Sequence, residues 1–298
     1  MNPHRLPIVL AMAPLLIAAA KPTSDGTPQQ RPAISFELFF HDLNRHGRWG
    51  RFMDKTWIWQ PRGVEPDWRP FSRGSWVVTE LGWYWLSDYP WGYVTSHYGR
   101  WENWYGIGWF WLPDSVWSSA WVYWAQGEKG IAWHLLQQSG TGILPVLNPS
   151  SGGWTVASWP DLESLLLPRP GLSKQPGGAN VLEAIVVSST SVVAAHQSLP
   201  AQDWKITKPK KQDNMAHNPG PDRALIEAKT GRRLRPCRVL HTRRRREILL
   251  VGRDESVLVT FRPIIKENAG EIQVLITRKA EQYRKIRERR AGAALELR

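Results

Sequence analysis

Seven carboxylates lie within the repeats of a tryptophan-rich stretch of this chain, and paired carboxylates are the groups that could perform acid–base chemistry there. They are Asp54, Glu65, Asp67, Glu80, Asp88, Glu102 and Asp114. Two carboxylates that face each other across an aromatic cleft would suit hydrolysis of a glycosidic bond. Most of the seven lie at turn positions, where acidic residues need no catalytic explanation. We therefore expect no catalytic residue. A hydrolase is an alternative, and it would require two residues of the following set to lie in one cleft: Glu65, Asp67, Glu80, Asp88 and Glu102.

A histidine in the segment His97-Tyr98-Gly99-Arg100-Trp101 could bind a metal ion or transfer protons. No second His, Cys or carboxylate follows it at the spacing of a metal site. The chain also lacks His-Glu-x-x-His, Gly-x-Ser-x-Gly and a phosphate-binding glycine loop. We expect no enzymatic activity, no metal and no cofactor. His97, Tyr98, Arg100 and Trp101 are instead candidate ligand-binding residues.

Eight arginines form the strongest charge signal. They are Arg232, Arg233, Arg235, Arg238, Arg243, Arg244, Arg245 and Arg246. Residues 203–298 carry 25 basic and 12 acidic side chains, whereas residues 31–140 carry ten of each. Clustered arginines can neutralise the phosphates of nucleic acid or another anionic polymer. The alternative is a solvated, disordered tail, for which blocks of like charge are common.

Tryptophan gives the clearest pattern, because 16 of the 19 residues fall between Trp49 and Trp133. Three Trp-x-Trp pairs are spaced by 26 residues and are predicted ligand-binding residues: Trp57 and Trp59, Trp83 and Trp85, Trp109 and Trp111. A Gly-x-Trp motif precedes each pair, at Trp49, Trp76 and Trp101. A fixed period of this length is typical of repeated supersecondary units.

These motifs require β-strands to position them. The stretches around them are rich in β-forming residues and are separated by Pro, Gly, Asp and Ser, which predicts a mainly β fold, an antiparallel meander of hairpins. Ile34 to Phe40 is predicted as the first strand. Because side chains alternate along a strand, Ile58, Tyr84 and Phe110 face away from their neighbouring tryptophans. Both faces are therefore apolar, so either both are covered or one binds a ligand.

Composition divides the chain into five segments. Residues 1–20 resemble a cleavable signal peptide, with a weakly basic start, an apolar run and Ala18-Ala19-Ala20. Residues 21–33 are a linker, 34–137 the Trp-rich domain, and 138–221 a low-complexity, mostly disordered linker. Residues 222–298 are a basic tail or a small α+β module. Strand-like runs occur there at 248–251, 257–261 and 272–277, before a basic helical pattern at 279–290.

Four motifs resemble an uncharacterised family of exported, Trp-rich bacterial proteins that share a domain of unknown function, DUF6600. The motifs are Trp68-Arg69-Pro70-Phe71, Gly82-Trp83-Tyr84-Trp85-Leu86-Ser87-Asp88, Tyr98-Gly99-Arg100-Trp101 and Ala120-Trp121-Val122-Tyr123-Trp124. The resemblance covers about residues 36–136. It implies a location in the envelope or outside the cell, and it supplies no activity.

Together these patterns predict a non-enzymatic protein that is exported to the periplasm or cell envelope, or secreted. Flat aromatic rings on a β scaffold suit sugar rings, so a cell-envelope glycan such as peptidoglycan is the expected partner. One alternative is a purely structural or protein–protein interaction module that binds an envelope protein. The other is binding of nucleic acid or another anionic polymer through the arginines. We expect no transmembrane span after signal cleavage.

Overall fold

The Trp-rich region consists of short strands interrupted by two helices. The computed structural model describes residues 31–136, 154–167, 183–185, 204–212, 215–252 and 255–296. Up to residue 136 its elements are β1 (Ala33–Ile34), α1 (Glu37–His46), β2 (Gly47–Phe52), β3 (Thr56–Pro61), β4 (Gly74–Thr79), β5 (Gly82–Ser87), α2 (Gly92–Thr95), β6 (Arg100–Trp104), β7 (Gly108–Leu112), β8 (Trp117–Ser118), β9 (Val122–Gln126) and β10 (Gly130–Leu135). The expected signal peptide lies outside the described residues.

The later described segments contain further strands and three helices. They are β11 (Trp154–Ser158), α3 (Trp159–Leu165), β12 (Leu166–Leu167), β13 (Glu183–Ile185), β14 (Lys205–Thr207), β15 (Lys210–Gln212), β16 (Met215–His217), α4 (Arg223–Thr230), β17 (Arg238–His241), β18 (Glu247–Val251), β19 (Ser256–Thr260), β20 (Ile264–Ile265) and α5 (Ala269–Glu296). The mainly β fold predicted from the sequence is confirmed, and a long helix ends the described chain.

Each Trp-rich repeat forms a β-hairpin. Strand β2 pairs with β3, β4 with β5 and β6 with β7, and a fourth hairpin pairs β9 with β10. In every hairpin one tryptophan faces another across the strands: Trp49 and Trp59, Trp76 and Trp85, Trp101 and Trp111, Trp124 and Trp133. Cross-strand aromatic pairs stabilise antiparallel sheets. The spacing of the tryptophans therefore reflects hairpin register.

The glycine of each Gly-x-Trp motif leaves room for the indole ring on the partner strand. A Cβ atom on Gly47 would lie 2.4 Å from the Trp59 ring, and one on Gly99 would lie 2.7 Å from the Trp111 ring. Gly99 also has a φ of +61°, in the left-handed region that favours glycine. Any side chain at these positions would overlap the indole. The motif is thus required by packing.

The hairpins have different neighbours. The first and third share a four-stranded sheet in the order β2-β3-β7-β6, joined where Trp59 faces Trp111. The second pairs with β12, which lies parallel to β4. The fourth lies between β11 and β14. Three of these added strands come from the stretch expected to be a mostly disordered linker. The described residues there differ from that expectation because apolar side chains such as Trp154, which is 1 % exposed, complete the sheet edges.

The strand predicted for Ile34 to Phe40 is wrong after Ile34, because helix α1 begins at Glu37. The buried aromatic and aliphatic residues of this stretch are Phe36, which lies just before the helix, and Phe39, Phe40 and Leu43 within it. This spacing of three and four residues is that of a helix, whereas the density of β-forming residues suggested a strand. Phe40 stacks on Trp49 with 5.2 Å between ring centroids, so α1 covers the inner face of the first hairpin.

In the C-terminal region the strands predicted at 248–251 and 257–261 correspond to β18 and β19, and the helix predicted at 279–290 lies within α5. The strand predicted at 272–277 is wrong, because these residues belong to α5. Ile272 and Ile276 are fully buried, while Val274 is 51 % exposed. A strand would place all three side chains on the same face. Because Val274 is exposed while Ile272 and Ile276 are buried, the pattern of burial is that of a helix.

The described C-terminal segments pack on the Trp-rich hairpins. Backbone hydrogen bonds join Cys237 to the second hairpin at Val78 and Glu80. Strand β20 pairs in parallel with β1, and α5 contacts β3. The basic region therefore contributes part of the cover over the aromatic core.

Candidate binding groove

Most residues predicted to bind a ligand lie inside the core. Those that are at most 3 % exposed are Trp59, Trp83, Trp85, His97, Tyr98, Trp101 and Trp111. Ile58, Tyr84 and Phe110, on the opposite strand faces, are buried too. At these residues both faces of the Trp-x-Trp strands are therefore covered. These rings stabilise the fold and lie out of direct reach of a ligand in this structure.

His97 belongs to a buried polar cluster that joins the Trp-rich region to β18. Its Nε2 atom lies 3.0 Å from Oε1 of Glu247, an ion-pair distance without the alignment of a hydrogen bond. Its Nδ1 atom lies 2.9 Å from the carbonyl oxygen of Ser118, to which it donates when protonated. The Tyr84 hydroxyl donates to the same carboxylate and lies 2.9 Å from Oγ1 of Thr260. Burial, and then the Glu247 charge, raise the pKa of Tyr84 well above its usual value.

Arg100 is also part of the packed interior. Its guanidinium lies over the ring of Trp121, with 3.1 Å between the guanidinium carbon and the ring centroid. One terminal nitrogen donates to the carbonyl oxygen of Gly99 at 2.7 Å. Burial lowers the pKa of Arg100 to about 10. This cation–π contact holds the third repeat against the start of the fourth hairpin.

The first tryptophan of each Trp-x-Trp pair has a different environment in each repeat. The indole N–H of Trp57 donates to Oγ1 of Thr277 on α5 at 2.8 Å. The indole N–H of Trp83 donates to the carbonyl oxygen of Pro221 at 3.2 Å, and the ring is 2 % exposed. Trp109 is only partly buried and lines an open groove. Equivalent positions in the repeat are thus not equivalent in the fold.

The groove beside Trp109 has a volume of about 300 Å³. Its lining residues are Arg48, Gln60, Pro61, Arg62, Val64, Glu65, Pro66, Trp68, Gly108 and Trp109. The end of the first hairpin, the loop that follows it and the start of β7 form its walls. Its lining combines aromatic and aliphatic residues with charged and amide side chains, and the polar part is the larger. This is the open surface to which a predicted ligand-binding tryptophan contributes.

Hydrogen bonds hold the polar groups of the groove in place. Nε of Arg48 donates to Oε1 of Gln60 at 3.2 Å, and Nε2 of Gln60 donates to the carbonyl oxygen of Ile107 at 2.9 Å. Glu65 accepts a hydrogen bond from the Tyr89 hydroxyl at 3.0 Å and pairs with Arg73 at 2.9 Å. A hydrogen bond from its own backbone, and then the one from Tyr89, lower the pKa of Glu65.

Exposed aromatic and aliphatic side chains occupy the two hairpin turns of the same sheet. Met53 is 60 % exposed, Trp104 50 %, Ile107 38 %, and Tyr105 is fully exposed. Trp104 contacts Phe52 with 5.5 Å between ring centroids. Sequence reasoning missed these residues because Trp104 and Tyr105 fall outside the 26-residue period. The available signal was the turn sequence Trp104-Tyr105-Gly106.

The seven carboxylates do not gather in the groove. Among the described residues that line the groove, Glu65 is the acidic one. Oε1 of Glu80 accepts from the backbone amide of Val239 at 3.0 Å, and Asp54 lies in a hairpin turn with a φ of +53°. No two of the seven therefore meet in this groove. The described residues also contain no group of three or more His, Cys, Asp or Glu that could hold a metal ion.

The eight arginines divide into two groups. Arg232 is buried and donates to the carbonyl oxygen of Glu163 at 3.1 Å, and Arg238 pairs with Glu255 at 3.1 Å. Arg233 and Arg235 are exposed near them. Residues 243–246 form an exposed loop between β17 and β18, from which Arg245 contacts Asp42 of α1 at 2.5 Å. This loop borders a second cleft of about 240 Å³, also lined by Arg45 and His46.

One comparison with known proteins bears on this region. Residues 40–140 match a family of unknown function, DUF6600. The resemblance seen in the sequence is thereby confirmed for about a third of the chain. All residues that line the Trp109 groove lie within the DUF6600 match, whereas Glu247 and α5 lie beyond it. No curated protein and no solved structure matches the chain. In the described part, no helix is both long and apolar enough to cross a membrane.

Proposed function

We propose that this protein is a non-enzymatic, exported cell-envelope protein whose Trp-rich domain binds a glycan such as peptidoglycan in the groove beside Trp109. The observation that carries the proposal is the open groove itself, whose lining includes the partly exposed Trp109 together with Gln60 and Arg48. The remaining predicted tryptophans form the rigid support.

The composition of the groove suits a saccharide. A sugar ring has an apolar C–H face that packs against an indole and hydroxyl groups that need hydrogen-bond partners. The residues that line the groove include Trp109, Gln60, Arg48 and Arg62. Its volume is at the lower end of the range of about 300–1,000 Å³ for small-molecule sites, so it accommodates one or two sugar rings of a longer polymer.

The experiment is a calorimetric titration of the full chain with soluble peptidoglycan fragments and neutral oligosaccharides. Trp109→Ala should lower the affinity at least about tenfold, which corresponds to about 1.4 kcal/mol. Trp57→Ala is the matched control, because Trp57 has the same place in the first repeat but is bonded to α5. Circular dichroism should show that both variants are folded. Absence of binding across the panel, or equal losses in the two variants, would overturn the proposal.

A second candidate function is binding of nucleic acid or another anionic polymer at the loop of residues 243–246. The contact of Arg245 with Asp42 favours it, because this contact holds the loop beside Arg45 at the second cleft. Reversing the charges of Arg243, Arg244 and Arg246 should weaken binding of single-stranded DNA and reduce its salt dependence. The same reversal at the exposed Arg233 and Arg235 is the control; equal effects would argue against a site at this loop.

A further inference from the structure

Two hairpin turns of the β2-β3-β7-β6 sheet expose large apolar side chains to solvent. We call these four residues the apolar tip: Met53, Trp104, Tyr105 and Ile107. Met53 lies in the turn of the first hairpin, and the other three lie in or beside the turn of the third. Tyr105 is fully exposed, so packing within the fold gives no reason for an aromatic ring at its position.

Ring contacts join the two turns. Phe52, next to Met53 in the chain, lies 5.5 Å from Trp104 and 5.0 Å from Phe110 between ring centroids. The strand register places Phe52, Trp104 and Phe110 on the same face of the sheet, opposite to the face that carries the internal tryptophan pairs. The turns of the first and third hairpins are therefore neighbours, and their exposed side chains lie away from the aromatic core.

The turn of the third hairpin differs in charge from that of the fourth. Residues 103–113 contain no charged side chain. The fourth hairpin turns at Gly127-Glu128-Lys129, where Glu128 and Lys129 are both exposed, as charged residues usually are. This fold thus places charges at one turn that faces water, and the third turn has aromatic and aliphatic residues instead.

The backbone of the third turn already has hydrogen-bond partners. The amide of Ile107 donates to the carbonyl oxygen of Trp104 at 3.0 Å, and the carbonyl oxygen of Ile107 accepts from Nε2 of Gln60 at 2.9 Å. An apolar medium penalises backbone groups that lack such partners. These bonds therefore lower the cost of moving the turn out of water.

The first hairpin adds positive charge beside the tip. Residues 47–61 contain the basic side chains of Arg48, Arg51 and Lys55, all exposed, and one acidic side chain, Asp54, which gives a net charge of +2. Tryptophan and tyrosine are enriched where a lipid layer meets water. Basic residues near such a surface are attracted to anionic headgroups. Exposed aromatic rings beside a positively charged hairpin thus match the surface of an anionic lipid layer.

We propose that the apolar tip is a membrane-contact site that inserts into the headgroup region of an anionic phospholipid layer, with the positive charge of the first hairpin favouring its approach. The site is separate from the Trp109 groove, because no residue of the tip lines that groove. It therefore does not depend on glycan binding.

Flotation of the full chain with vesicles tests the proposal. Vesicles of equal parts phosphatidylcholine and phosphatidylglycerol should bind the wild-type protein at least about tenfold more tightly than vesicles of phosphatidylcholine alone, since each basic residue near an anionic surface adds to the affinity. Basic residues elsewhere in the chain add to this preference, so the decisive variants are those that leave the charge unchanged.

Tyr105→Ser combined with Met53→Ser removes two exposed apolar side chains without changing the charge. Binding to the mixed vesicles should fall at least about tenfold, because membrane affinity scales with the apolar area that is buried. Val274→Ser combined with Ile286→Ser is the matched control, since these apolar residues are exposed on α5, outside the tip. The control, and Trp109→Ala in the groove, should bind like the wild type.

A fluorescent label distinguishes insertion from adsorption through the basic region. Met53→Cys is labelled with a polarity-sensitive dye, and Val274→Cys is the control position. The native thiol of Cys237 is buried, and burial raises its pKa to about 12, so it does not compete for the label. On mixed vesicles the emission of the dye at residue 53 should shift to shorter wavelength and be quenched by spin-labelled lipid, whereas the dye at residue 274 should stay in water.

Several outcomes would overturn the proposal. They are absence of vesicle binding by the wild type, wild-type binding by the tip variant, equal losses in the tip and α5 variants, and a dye at residue 53 that stays in water. Self-association of the chain that the tip variant abolishes, with vesicle binding unchanged, would identify a second copy of the chain as the partner of the tip instead.

Discussion

The second and third hairpins carry the same motifs but have different surroundings. In the second, β12 extends the sheet, Cys237 bonds to the connecting turn and Pro221 accepts the indole N–H of Trp83. In the third, β7 meets β3 of the first hairpin, and Trp109 borders an open groove. The repeat unit thus specifies a hairpin with one internal tryptophan pair. Segments outside the repeat decide which of the remaining indoles are accessible.

The largest expected difference is between Trp83→Ala and Trp109→Ala. Removing the buried Trp83 ring should lower the free energy of unfolding by about 3–5 kcal/mol, the usual cost of deleting a large buried aromatic side chain. Trp109 is partly exposed, so its removal should cost less than about half as much. Urea unfolding of the full chain measures both. Equal losses would show that the second hairpin is not more deeply packed than the third.

Glu247→Ala tests the link between the second hairpin and β18. His97 and Glu247 are 0 % and 6 % exposed, and loss of the Glu247 carboxylate leaves the buried Tyr84 hydroxyl and His97 ring without this partner. We expect the free energy of unfolding to fall by about 1–3 kcal/mol, the cost of leaving a buried polar group unsatisfied. Glu65→Ala, at the open groove, is the control and should leave the urea midpoint unchanged. A midpoint for Glu247→Ala like that of the wild type would contradict a stabilising role for the cluster.

Gly47→Ala tests whether the glycine of the repeat is required by packing. The new methyl group would lie 2.4 Å from the Trp59 ring, so we expect a loss of about 1–3 kcal/mol in the free energy of unfolding. Gly50→Ala on the same strand has no atom within 4 Å of the added carbon and serves as the matched control. Thermal unfolding compares the two. Equal melting temperatures would remove steric packing as the reason for the motif.

The smallest effect is expected at the cover over the first hairpin. Thr277→Val removes the acceptor of the Trp57 indole N–H with little change in shape. We expect a loss of about 0.5–1.5 kcal/mol, the net value of one hydrogen bond, with the lower end favoured because Thr277 is exposed. Acrylamide quenching of tryptophan fluorescence should increase slightly. A change as large as that of Trp83→Ala would mean that α5 is essential to the hairpin rather than a cover.

Local patterns predicted the repeats well and the surrounding helix poorly. The three hairpins follow from β-forming residues and turn residues that lie close together in sequence. Helix α1 was missed because Phe36, Phe39 and Phe40 favour strands by propensity, although their spacing is helical. The strand expected at 272–277 failed for a related reason: Ile272 and Ile276 pack at helical spacing, while Val274 faces solvent. Which residues are buried decides between the helical and the strand period, and burial depends on contacts with residues that are distant in the sequence.

The candidate site shows the same division. Its tryptophan was among the predicted ligand-binding residues, but so were Trp59, Trp85 and Trp111, all of which are buried. Arg48, Arg62 and Gln60 have no motif that marks them. They line the same groove as Trp109 because the first and third hairpins, which lie some fifty residues apart in the chain, share one sheet.

The sequence alone determined the repeated hairpins and the family resemblance, because both depend on residues that are near one another in the chain. The tertiary structure decided which aromatic faces are covered and where a groove stays open. That outcome depends on strands and helices such as β12 and α5, which come from outside the repeats. Covering an apolar face is a long-range packing event, and the covering segment shares no sequence pattern with the face that it buries.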